Sequence, residues 1–187
     1  MLIEALQFLL DAVLQPFAAI LLLRFHLQWL RAPLRNPIGE FIMLLTNPLV
    51  LRVRRFVPTV LGLDAASLLL AGLVEMGYLF ATVSLHDYPV GVLSLAAWAA
   101  IKLCKLSIYL LMAALFVSAL LSWANPNTPF APVLHSMTEP FLRPLRRRVP
   151  ATGSLDFSVL VMFLILQLIL MLPLAWLESL VLRTTML

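Results

Sequence analysis

The chain has 187 residues, of which 63% are hydrophobic and 12% charged, with a mean hydropathy of +1.02 and a formal charge of +4. A soluble domain of this size carries about 45–50% apolar and about 25% charged residues, so this composition excludes a water-solvated globule and makes lipid the solvent. One cysteine, Cys104, excludes an intramolecular disulfide, and three scattered histidines carry no metal-ligand spacing.

In chain order, the N-terminal stretch MLIEALQFLLDAVLQPF holds Glu4 and Asp11 and lacks a basic n-region, so it reads as the start of a retained transmembrane helix rather than a cleaved signal. The first span is predicted over about 6–27, kinked at Pro16 and anchored by Gln28-Trp29. A loop follows with Arg31, Arg35, Arg52, Arg54 and Arg55, where Asn47 and Pro48 suit the cap and first position of a short helix. The second span is predicted over about 64–85, and His86-Asp87-Tyr88-Pro89 reads as a tight turn. Residues 90–102 read as an interfacial lead-in to a third span over about 103–122, with Lys102 and Lys105 snorkelling. The next loop carries Arg143, Arg146, Arg147 and Arg148, and the fourth span is predicted over about 156–177.

The two basic loops repeat each other. TNPLVLRVRRFVP (46–58) and TEPFLRPLRRRVP (138–150) stand 92 residues apart, and an Asp follows each, Asp64 and Asp156. Trp29 and Trp123 correspond at an offset of 94. The chain therefore divides into repeats at 1–89 and 90–187. With two spans each, they enter the membrane in the same sense, giving an all-α fold of two parallel two-helix repeats. Arginine on one side and none in the 86–89 turn puts both loops in the cytoplasm and both termini outside. In each loop an amphipathic stretch (Leu134, Met137, Phe141 and Leu145 in the second) is expected to lie apolar face down in the interface, held by arginines at anionic headgroups. Pro140 and Pro144 are expected to bend the second stretch, Pro58 and Pro150 to end the two, and Asp64 and Asp156 to cap the following spans.

Of the polar groups inside the predicted spans, Arg24, Glu75 and Gln167 are the candidates for a buried role, Gln167 being the counterpart of Glu75. Glu75 lies eleven residues into its span, about 16 Å deep, where a charge must be paired or wet. The directions in which helical side chains lean bring Arg24 and Glu75 towards each other. A structural ion pair or protonated Glu75, an ion or proton pathway, and a partner contact all stay open. Asp11 and Lys105 occupy equivalent places near the outer boundary and suit a bridge.

The second copy, SWANPNTP (122–129) with TEPFLRPLRRRVPATGSLDFS (138–158), closely resembles the unit of the YggT family of small bacterial inner-membrane proteins, and QWLRAPLRNP (28–37) with TNPLVLRVRRFVPTVLGLD (46–64) matches it apart from Arg52 in place of a proline. The resemblance implies a membrane protein with no assigned reaction. It associates two-unit members with osmotic stress tolerance and potassium homeostasis, and other relatives with assembly of membrane complexes or with division. The expectation is a non-enzymatic accessory or scaffold protein. Transport through the Glu75 region of an oligomer, or assembly of a membrane complex, are the alternatives. No cofactor and no nucleic acid is expected. The expected partners are the bilayer and anionic headgroups, with a membrane-protein partner or a second copy of the chain also open.

Overall fold

The computed structural model describes residues 1–57, 63–86, 90–124, 128–148 and 156–185. The described residues form helices α1 (Leu2–Trp29), α2 (Pro37–Arg54), α3 (Ala65–Leu85), α4 (Val92–Ala124), α5 (Ala131–Arg146), α6 (Phe157–Ile169) and α7 (Ala175–Thr185). A π-helical turn, Leu170–Leu174, joins α6 to α7. α1, α3, α4 and the stretch Phe157–Arg183 are long and apolar enough to span a bilayer. The protein is thus an all-helical membrane protein with four candidate spans. Pro58, Pro150, the turn at 87–89 and the Asn125-Pro126-Asn127 part of the second motif lie outside the described residues.

α1 ends in a motif legible from hydrogen bonds. Arg31 takes φ 52°, and bonds run from its N–H to Gln28 O (3.1 Å) and from Ala32 N–H to Leu27 O (2.8 Å). This is the 5→2 and 6→1 pair of a Schellman cap, with Arg where Gly is usual and with Ala32 packed on Leu27. α2 starts at Asn36, whose side chain accepts from Gly39 N–H at 3.0 Å, with Pro37 at the first position. The helix therefore starts eleven residues before the cap expected at Asn47, and Asn47 lies inside α2. The earlier start holds because Gly39 lets α2 pack on the preceding loop: a Cβ there would lie 2.2 Å from Leu34 O.

α1 packs along α3, and α3 and α1 both touch α4. α2 lies against α1 and α3, while α5 lies against α4 and α6. Two further expectations change. α4 is one unbroken helix through Lys102 and Lys105, so residues 92–102 belong to the span. The apolar face of α5 meets protein, not lipid tails: Val133, Leu134 and Met137 pack with Leu27, Ile42 and Ala114, and Leu142 packs with Leu115, Met162 and Leu166. α1 and α5 run as helix through Pro16, Pro140 and Pro144.

Candidate functional site

Two ionic clusters sit where α2 and α5 meet the ends of the spans. In the first, the Arg24 side chain leaves the interior of α1 and donates from Nε to Asp64 Oδ2 (3.1 Å), and from Nη1 to Thr46 Oγ1 (2.6 Å) and Asn47 Oδ1 (2.8 Å). Ser67 Oγ donates to the same Asp64 oxygen at 2.7 Å, and Arg54 Nη2 lies 2.9 Å from it. Arg24 is 1% exposed and Asp64 0%, so neither charge is solvated and each depends on the other. Burial pushes the Asp64 carboxyl up, but the bonds from Ser67 and Arg54 and the charges of Arg54 and Arg24 outweigh it and hold it below the ordinary value.

The second cluster is more open. Arg146 donates from Nε to Asp156 Oδ2 (2.9 Å) and from Nη1 to Glu139 Oε2 (2.8 Å). Asp156 Oδ1 accepts from Ser158 N–H at 3.0 Å, so Asp156 caps α6 as expected. Asp64 stands at the same place before α3, but its carboxylate makes no cap bond. The guanidinium groups claim it instead, which corrects the capping role expected of it.

Arg24 and Glu75 do not pair. Glu75, 1% exposed, accepts from Gln15 Nε2 at 3.2 and 3.3 Å and lies 3.6 Å from Lys102 Nζ. Rise per residue sets the height of a side chain along its helix but not the angle around it. Arg24 reaches towards the membrane boundary, to Asp64, and Glu75 faces α4. Lys102 Nζ also sits 4.5 Å from the Tyr78 ring centre, and Tyr78 donates to Asp11 at 2.6 Å. The expected Asp11–Lys105 bridge is replaced: Lys105 pairs with Glu178, which also accepts from Trp98 Nε1 at 2.9 Å. Gln167 is exposed on α6, so it corresponds to Glu75 in sequence but not in surroundings.

The basic loops split into two roles. Arg54 and Arg146 are drawn into the clusters. Arg52, Arg55, Arg143, Arg147 and Arg148 are exposed, and none makes an ion pair among the described residues. Reasoning from sequence missed Gln15, Thr46, Ser67, Lys102 and Glu178 as partners. Thr46 and Asn47 were open to discovery, since they begin the repeated phrase.

The CCB3/YggT family model matches residues 3–85 and 97–177. The chain belongs to the CCB3/YggT family. It is 37% identical over 157 residues to an uncharacterized protein, PA0392, of Pseudomonas aeruginosa (82% of this chain, 80% of the relative). It is 33% identical over 172 residues to uncharacterized protein YggT of Escherichia coli K12 (89% and 87%). An uncharacterized protein from the proC 3' region of Vibrio alginolyticus is 33% identical over 170 residues (88% and 90%). No solved structure matches the chain significantly.

Proposed function

We propose that this chain is a non-enzymatic scaffold or accessory protein of the bacterial inner membrane, with both termini periplasmic, that supports osmotic stress tolerance and potassium homeostasis. The process comes from the family resemblance. The scaffold reading rests on one observation: five arginines at the ends of α2 and α5 remain exposed after the carboxylates of the two clusters have taken theirs. Each can hold a lipid phosphate or an acidic partner surface, at about 1 kcal/mol apiece on an anionic leaflet.

The test is survival at high osmolarity in cells lacking the native protein. Arg143→Glu with Arg147→Glu, and Arg52→Glu with Arg55→Glu, are expected to abolish rescue with protein level and topology unchanged. Full rescue by both pairs would refute the platform. A transport reading draws on the intramembrane chain Asp11–Tyr78–Lys102–Glu75–Gln15. It requires that Glu75→Gln be stable yet inactive, whereas the scaffold reading expects that variant to rescue.

A further inference from the structure

The two repeats treat the same place in opposite ways. Aligning Trp29 with Trp123 and Asp64 with Asp156 sets Arg24 against Ser118, Ser67 against Val159, Ala71 against Phe163 and Asn47 against Glu139. In the first repeat the small residues of α3 let α1 close on it. Leu21, Leu22, Val50 and Ala71 form a sealed core, and Arg24 lies buried beside Asp64. In the second repeat Val159 and Phe163 are bulkier, and Ser118 is far shorter than Arg. α4, α5 and α6 there surround a cavity of about 500 Å³ whose lining includes Phe116, Ser118, Leu160, Phe163, Arg146 and Asp156. That volume is within the roughly 300–1,000 Å³ of small-molecule sites.

Charge states what is missing. The first cluster sets two guanidinium groups, Arg24 and Arg54, against one carboxylate. The second sets one guanidinium, Arg146, against two carboxylates, Glu139 and Asp156, with the His135 imidazole 3.9 Å from Glu139. Relative to its twin, the second cluster lacks a cation at the position where Ser118 replaces Arg24. Both carboxylate side chains keep about a third of their surface exposed, at 31% and 29%, so each retains room for another donor. Apart from the Ser118 and Ser122 hydroxyls the rest of the cavity wall is apolar, and Phe116 and Leu160, 56% and 58% exposed, face outward from spanning helices into the region of lipid chains.

We propose that this cavity binds a phospholipid with a primary-ammonium headgroup, its ammonium at the Asp156 carboxylate that lines the cavity, with Glu139 adding negative charge through the shared Arg146, and an acyl chain along Phe116, Leu160 and Phe163. The ammonium takes the part that Arg24 plays in the first repeat. A quaternary headgroup has no N–H to donate, and a purely anionic one meets a cluster of net negative charge. The site rests on the four spans lying in the bilayer and not on the exposed arginines, so the two proposals fail separately.

Native mass spectrometry of the delipidated full-length protein, titrated with phosphatidylethanolamine, phosphatidylcholine and phosphatidylglycerol of matched chains, tests it. A charge-assisted hydrogen bond makes the ethanolamine lipid bind about tenfold tighter than the other two. Ser118→Arg restores the missing guanidinium and abolishes that preference. Glu139→Gln, at a partly exposed position, reduces it several-fold and serves where Ser118→Arg does not accumulate. Equal binding of all three lipids, or tighter binding of phosphatidylglycerol, would overturn the proposal. So would an unchanged ethanolamine preference in folded Ser118→Arg or in Glu139→Gln.

Discussion

Arg24 is tolerated inside an apolar helix because three acceptors, two from α2 and one from the residue before α3, converge on it. Removing one partner of such a buried pair costs about 3–5 kcal/mol. The two sides are not equivalent. Arg24→Gln leaves Asp64 with Arg54 at 2.9 Å, so the loss falls at the low end. Asp64→Asn leaves two guanidinium groups facing each other without a counter-charge, so the loss falls at the high end. Thermal unfolding in detergent should rank wild type above Arg24→Gln above Asp64→Asn, and the reverse order of the two variants would refute the account. The acid limb follows from the depressed Asp64 carboxyl. Its contribution is complete above the ordinary value of 3.8 and is lost as pH falls below that, through the lower folded value. Wild-type stability should drop below about pH 4, while Asp64→Asn should be flatter there. The fixed rise per residue sets how far Arg24 lies from the end of α1 at Trp29. It does not give the partner, because the direction around the helix depends on packing that a single chain pattern does not encode.

Helix α4 shows the same division at the level of an element. Its 33 residues extend about 50 Å at 1.5 Å each, well beyond the roughly 30 Å hydrocarbon core. Lys102 and Lys105 look like a break in the hydropathy pattern, yet nothing in them breaks a helix, and both have partners on other helices. Lys102 is 27% exposed and Glu75 only 2% by side chain, so the pair is asymmetric. Glu75→Gln leaves a lysine that still lies on the Tyr78 ring, whereas Lys102→Met leaves a carboxylate with only Gln15. Lys102→Met should therefore lower the melting temperature more than Glu75→Gln, and equal shifts would count against the pairing. The fourth span was legible as an apolar run, but its break was not. Pro173 has no N–H to donate, and the chain accommodates it with the π-helical turn Leu170–Leu174. α7, which follows that turn, presents Glu178 to Lys105 and Trp98. Pro173→Ala should allow a regular helix, rotate α7 by up to about 100° per residue of register, and weaken the Lys105–Glu178 coupling in a double-mutant cycle. A coupling energy unchanged by Pro173→Ala would show that the turn does not set this geometry.

For the whole molecule, hydropathy made the four spans readable, because twenty apolar residues have few alternatives to crossing a bilayer. The repeated phrase made two basic segments readable as related. What the phrase concealed was that each contains one arginine for a carboxylate and others for the surface, a distinction set by which side of α2 or α5 meets its neighbours. The orientation of the whole bundle then decides what those surface arginines can meet. With Cys104, an exposed residue, replaced by Ser, single cysteines at His86 and His135 test it, since both side chains are exposed. If the basic ends of α2 and α5 face the cytoplasm, His86→Cys, beyond the end of α3, reacts with an impermeant maleimide in intact cells. His135→Cys, on α5, reacts only after permeabilisation. The reverse labelling would put the exposed arginines in the periplasm, against the positive-inside bias. It would remove the cytoplasmic platform and move the Arg146–Asp156 cavity to the outer leaflet. The ethanolamine preference of the purified protein would be unaffected, because it depends on the cavity and its charges and not on the side of the membrane that they face.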